Sequence, residues 1–443
     1  MARARPPALA PGLLTLALAV LALALAVLAL APAGARAAWS RPFYLVAPGS
    51  LDYTPSQLAL SSSGAAAAGL AIGDVDVPGS GQAYVVTRAP SGSAGAPQAL
   101  AGARQVLALT YSGSTLDVLT GASPTGLDCC SSAAAVRITA RGQQRPAQTV
   151  VGGLAGPALG ALVALGGGHT LAAVATERGV WTSQGGPSGH FGRQHRLTGR
   201  AQAAEALSAT WLGGRDSLVA WTAATGPAGF ADPRAIFYSE GTRRSGPRRA
   251  HTLLRIRAGH RLDELVVGRR RRQATATWTE SWFDPRGNFH SLIRTADFAS
   301  HPRVHALSSP RAQASGLAMA ADAAGGQTVA FKVCRPNGSC TLHVVTRARK
   351  GAFAHGRALG AIDAFQNPAV TVGPRGQVLV GWVRFGRPVV MAGTVGAARW
   401  RAPHVLSSTR YAYDLTLAFG RRGALAAWTQ GTLNPSLVGA AYR

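Results

Sequence analysis

The chain has 443 residues, 47% of them hydrophobic and only 14% charged, with 54 glycines and 26 prolines, which excludes a disordered polymer and fits a packed core joined by many tight turns. Its formal charge of +27 favours anionic partners: acidic polysaccharides, wall polymers or membrane head groups. Nearly all of that charge is arginine, with lysine only at Lys332 and Lys350, a pattern that genome-wide composition bias also produces.

The N-terminus reads as an export signal. Arg3 and Arg5 form a basic start, Gly12 to Ala31 is an uninterrupted apolar run, and Pro32 ends it before the small-x-small tripeptide Ala35-Arg36-Ala37. Cleavage is expected after Ala37, leaving residues 38–443 as one folded domain and taking three positive charges with residues 1–37. The alternative is an uncleaved anchor, because Gly12 to Ala31 is long enough to span a bilayer. Export argues against a nucleic-acid partner.

A short β-rich segment ending in an aromatic then recurs, at Trp221, Trp278, Phe331, Trp382 and Trp428, spaced 46 to 57 residues apart. Turns such as Gly373-Pro374-Arg375-Gly376 and Gly420-Arg421-Arg422-Gly423 precede it, and another apolar strand precedes each turn. A second signal, an aromatic followed six residues on by Leu, marks outer strands at Phe191/Leu197, Phe353/Leu359 and Trp400/Leu406. Four antiparallel strands at this spacing are what a propeller blade requires, whereas helical repeats would show a 3.6-residue period that is absent.

The last unit, from Leu415, stops without its outer strand, and Trp39/Leu45 supplies the missing pattern at the other end. The expected fold is therefore all-β: a single propeller closed by its N-terminal strand, which leaves no open sheet edge between its ends. Inner strands near Gln57, Gln105, Leu159, Leu207, Asp263, Leu317, Ala369 and Leu415 give eight four-stranded blades. The count falls to seven if one of the degenerate first three, where Ala175 stands in the aromatic position, is not a blade. On this repeat the chain resembles exported bacterial propeller proteins of the broad sialidase-like, BNR-repeat type. The resemblance is architectural: Ser-x-Asp-x-Gly-x-x-Trp boxes are absent from the sequence, so it implies no sialidase activity.

Cys334 and Cys340 flank an Asn337-Gly338 hairpin signal and are expected to form a disulfide. For the adjacent Cys129 and Cys130 a vicinal disulfide is the economical expectation, with intermolecular pairing or free thiols as alternatives. The adjacent cysteines have no histidine at metal-ligand spacing, and no metal or cofactor is expected.

Two surfaces are candidates for function. Arg269, Arg270, Arg271 and Arg272 fall in a turn between first and second strands, as do Arg375, Arg421 and Arg422, so these residues share one rim of the ring, a basic surface for an anionic polymer. The opposite rim, where propellers usually place ligands, carries Asp52 and Tyr53, Asp363 with Phe365, Gln366 and Asn367, then Tyr411, Tyr413 and Asp414, as well as Trp282-Phe283-Asp284. Aromatics beside carboxylates and amides suit sugar or peptide binding, although the same residues are ordinary turn chemistry. Catalytic motifs are absent from the sequence, and His260 near Asp263 and Glu264 reads as solvated turn residues rather than a general-base pair. The expected function is an exported, non-catalytic propeller that binds or scaffolds at the cell envelope; the alternative is a carbohydrate-active hydrolase or lyase with its site at the central channel.

Overall fold

A computed structural model describes residues 38–442, apart from 48–52, 73–80, 91, 93, 123–130, 155–157, 200–201, 215, 226–231, 397–398 and 432–434. Residues 1–37, Asp52 and Cys129-Cys130 lie outside the described residues. The described chain is entirely β.

Its strands form seven hydrogen-bonded sheets. Six have four strands; the seventh is two blades joined by one parallel bridge, Ser291 opposite Gln313. Counting that pair separately gives eight four-stranded antiparallel blades among the described residues: 53–99, 103–152, 159–196, 204–255, 260–306, 313–362, 369–405, and 412–442 with the N-terminal strand. All eight inner strands expected from the sequence are present, and the first strand of each blade packs against those of its neighbours around the ring, the last against the first. His260, Asp263 and Glu264 are an exception to the sequence reading: they are residues of the strand His260–Arg270.

The last blade has the spatial order expected of a ring closed by its terminus. Phe43–Val46 lies beside Ser436–Tyr442 as its outer strand, with Phe43 opposite Gly439 and Tyr44 opposite Val438. The Ser40 amide donates to the Ala441 carbonyl at 2.7 Å, and Trp39 meets Tyr442 with ring centroids 5.1 Å apart. Between the last and first blades the contact is side-chain packing, of Leu45, Val46, Ala427 and Leu437 against Ala68, Leu70 and Val86.

The recurring aromatic explains how blades stack. Trp221, Trp278, Phe331, Trp382 and Trp428 are all fully buried, and each joins a core cluster shared with the preceding blade. Trp278, for example, packs with Leu218, Ala220, Ile236 and Leu253 of blade 4. A large flat ring fills the wedge between twisted sheets and buries some 150–250 Å². In blades 1 to 3 aliphatic residues do this job: Leu70, Val118 and Val174 are fully buried at those interfaces. This substitution made the first blades look degenerate in sequence while leaving their geometry intact.

The predicted hairpin closes blade 6: Cys334 pairs with Cys340 in register, a disulfide links them, and the Gly338 amide donates to the Arg335 carbonyl at 2.9 Å.

Candidate functional site

Antiparallel order sorts the connections onto two rims. Turns between first and second strands and between third and fourth strands leave on one, the turn rim; second-to-third turns and blade-to-blade connections leave on the other, the loop rim.

The turn rim holds the arginines. Two networks turn guanidinium groups into mortar between blades. Arg137 and Asp117 are both buried cross-strand partners in blade 2, bonded at 2.6 and 2.8 Å. From there Arg137 reaches the Gly186 and Pro187 carbonyls of blade 3, while the Thr170 hydroxyl donates to Asp117. Between blades 5 and 6, buried Arg347 donates to Asp297 Oδ1 at 3.0 Å and also to Thr275 and Gln327, and Arg270 donates to the same Asp297. Burial alone would raise the Asp297 carboxyl; hydrogen bonds from Thr275 and Arg347 and the charges of Arg347 and Arg270 overcome it and hold the group below the usual value.

Those contacts divide the predicted basic rim. Arg270 is paired, and the Arg269 guanidinium lies 5.5 Å from the Trp211 ring centroid and bonds the Arg271 carbonyl. Arg269, Arg270, Arg271 and Arg272, with Arg349, Ala323 and Ala324, line an open groove of about 640 Å³, in which Arg271, Arg272 and Arg349 are the exposed arginines. Arg375, Arg421 and Arg422 stand exposed on the turns of blades 7 and 8.

The loop rim gathers most of the residues predicted there at the junction of blades 6, 7 and 8. The Asp363 carboxylate accepts the amides of Phe385 at 2.7 Å and Gly386 at 2.8 Å. Lys332, buried on blade 6, donates to the Ala364 and Gln366 carbonyls and to Asn367 Oδ1, and burial lowers its pKa despite the nearby charge of Glu264. Gln366 Oε1 accepts the Asp414 amide at 2.9 Å. Tyr411 and Asp414 both hold positive φ, 67° and 54°, and burial pushes the Asp414 carboxyl up. Tyr413 is half-buried beside them. Tyr53 begins the first strand of blade 1 opposite Ile72, outside this junction but on the blade that packs against blade 8.

Four residues of this junction escaped the sequence reading: Arg384, Phe385, Arg387 and Arg410. Phe385 and Gly386 form a two-residue turn with φ of 52° and 68°. Both values are left-handed, the conformation for which Asn-Gly is favoured and phenylalanine is not. Phe385 nonetheless stands 69% exposed, beside Tyr411 at 64% and the Phe365 loop at 98%. The signal available in sequence was a phenylalanine in the tight turn Arg384-Phe385-Gly386-Arg387.

A second aromatic group tips the blade 5 hairpin. Trp282 is stacked between His260 and His290, with centroids 4.9 and 5.3 Å away. Phe283 and Phe289 are exposed and meet edge-on. Hydrogen bonds from the Asn288 side chain and amide, then from His290, hold the Asp284 carboxyl well below the usual range. His260 pairs with buried Glu280 at 2.7 Å rather than with Asp263 or Glu264. The Glu264 carboxylate accepts Thr279 Oγ1 and the Leu317 amide; Asp263 accepts the Ser281 hydroxyl. Glu205 forms a two-pronged pair with buried Arg234. These acids are thus committed to holding strands and loops. Among the described residues there is no cluster of three or more His, Cys, Asp or Glu arranged to hold a metal ion.

Comparison with known proteins agrees with the architecture. No family model and no curated protein matches the chain. Among solved structures it is similar to the Dos1 propeller (TM-score 0.52, 10% identity, covering 91% of this chain and 95% of that one). It is also similar to the polysaccharide lyase Uly1 (0.50, 7%, 77% and 91%) and to the PL25 ulvan lyase bound to -[GlcA(1-4)Rha3S]- (0.50, 8%, 90% and 95%). At these identities the likeness is one of fold: the chain is a β-propeller.

Proposed function

We propose that this is an exported, non-catalytic propeller that binds or scaffolds a glycan through its loop rim at the cell surface or outside the cell. The observation that carries the reading is the concentration of exposed aromatics there. Phe283, Phe289, Phe365, Phe385 and Tyr411 all lie on the loop rim, held by fixed turns. Exposed aromatics gathered on one face favour a binding surface, because ring faces stack on the C–H faces of sugars. Export, and with it removal of residues 1–37, belongs to the same proposal; among the described residues no helix is long and apolar enough to cross a membrane. The polysaccharide lyases of the same fold are compatible with a glycan-related role. Arginines of the turn rim, Arg271, Arg272, Arg349, Arg375, Arg421 and Arg422, would add long-range attraction for an acidic polymer, wall polymer or membrane surface.

The test is a binding screen of the chain against neutral and anionic glycans, with Phe283→Ala and Phe385→Ala as variants. Binding that falls in these variants supports the reading, and a chain that binds no glycan overturns it.

One observation favours the enzymatic alternative, a carbohydrate-active hydrolase or lyase. Asp414 lies on the innermost strand of blade 8 at the loop rim, next to Tyr413, and its carboxyl is shifted upward, the direction that suits a general acid. Glycan cleavage abolished by Asp414→Asn would establish that reading.

A further inference from the structure

The blade 7 junction has a shape and a charge more specific than a generic aromatic surface. Between the Phe385-Gly386 turn, the outer strand His404–Val405 and the connection into blade 8 lies a cavity of about 360 Å³. It is lined by Phe385, Val389, Pro403 and Val405, with Arg384, Arg387 and Arg410 around them. The volume is that of a small-ligand site, and the lining is apolar with a few convergent polar groups. No acid is among those lining residues, and none of the three arginines takes part in an ion pair of the described residues. Asp363, whose carboxylate accepts the two turn amides, is not one of the residues lining the cavity.

The conformation of the turn supplies an independent argument. A phenylalanine at positive φ is strained, and an exposed one gains nothing from burial to offset that strain. The position is nevertheless held firmly: the Asp363 carboxylate clasps both turn amides, and the Ala412 amide donates to the Gly386 carbonyl at 2.9 Å. Such over-determined strain places the Phe385 ring at the cavity wall with the Arg384 guanidinium 5.3 Å from its centroid.

We infer that this cavity binds an acidic sugar residue, a pyranose bearing a carboxylate or sulfate. The C–H face of the ring stacks on Phe385, and Arg387 and Arg410, with Arg384, take the anionic group. Guanidinium forks match both oxyanions by paired hydrogen bonds, and the cavity's apolar floor strengthens them. Neutral sugars would use the aromatic wall alone. The inference rests on the glycan-binding reading and narrows it to acidic glycans at one blade.

The experiment measures affinity of the full-length chain for polygalacturonate, dextran sulfate and unmodified dextran. The variants are the double substitution Arg387→Gln with Arg410→Gln, and Phe385→Asn. The arginine pair should weaken both acidic polymers by about tenfold or more and leave dextran unchanged. Phe385→Asn should weaken all three polymers while the melting temperature holds or rises, because Asn-Gly suits the turn; the same measurement separates lost binding from lost folding. Lowering the pH below the uronate's own pKa should weaken polygalacturonate but not dextran sulfate, which tells the two anions apart. If the arginine pair leaves acidic binding unchanged while Phe385→Asn still weakens binding, the acidic-sugar assignment falls and glycan binding stands. If neither variant has an effect, the cavity is not the site. If no polymer binds the parent chain, both readings fall together.

Discussion

The two rims of this ring use the same residue type for opposite ends. On the turn rim, Arg137 and Arg347 are buried between blades with every neighbouring carboxylate engaged. On the loop rim at blade 7, Arg384, Arg387 and Arg410 surround an apolar cavity that holds no carboxylate at all. Charge alone therefore says little about where this protein meets a ligand; what matters is whether the arginine's partner is already inside the fold. The aromatics sort the same way, with the five repeat positions buried as wedges and five others displayed at the loop rim.

The largest effect should come from breaking the turn-rim mortar. Arg347→Leu leaves the fully buried Gln327 without its guanidinium donor and the half-buried Asp297 with only Arg270 and Thr275, and should cost about 3–5 kcal/mol in urea unfolding, the range for one partner of a buried pair. The same network carries a pH signature. Because Asp297 is held below its ordinary value in the folded state, its contribution is present above the unfolded-state carboxylate pKa and is lost as pH falls through the lower folded value. Acid titration of stability should therefore show a loss that Asp297→Asn removes. Emptying an aromatic wedge, as in Trp278→Ala, should cost a similar 3–5 kcal/mol; if Val118→Ala in the aliphatic half cost as much, the contrast between early and late blades would be one of appearance only.

A smaller effect is expected on the loop rim. Replacing Cys334 and Cys340 by Ser should cost about 2 kcal/mol, since the bridge closes a short hairpin loop. The smallest effect on stability, and the sharpest test of the comparison, is Arg271→Glu with Arg272→Glu. These exposed groups should leave the melting temperature in place while lowering the salt at which the chain elutes from an anionic resin. Unchanged elution would show that the turn rim does not attract polyanions.

The architecture was legible because it rests on local periodicity. Aromatic-ended strands, tight turns and the Asn337-Gly338 hairpin are written within a few residues of one another, and the Trp39/Leu45 pattern matched the incomplete last blade across the whole chain. The fate of each charge was not legible, because it depends on register between blades. Arg347 meets Thr275 from 72 residues away, and Glu264 caps the Leu317 amide from 53. For the same reason His260 found Glu280 across the sheet rather than its sequence neighbours Asp263 and Glu264. The blade 7 cavity joins Arg384 to Arg410 through a turn whose handedness only the fold reveals.

The pairing of the N-terminal strand with the last blade also sets an order of events. Ser40 and Ala441 are 401 positions apart, so the hydrogen bonds between them must wait until nearly the whole chain has been synthesised. Blades 1 to 7 contain all their own strands and can form as the chain emerges, whereas the last blade must recover a segment made at the very beginning. Until then Phe43–Val46 is an unpaired strand and Ser436–Tyr442 an open edge. Ring completion, with its long sequence separation, is thus expected to be the slowest step of folding, and refolding whose rate does not change when residues 38–46 are deleted would contradict this.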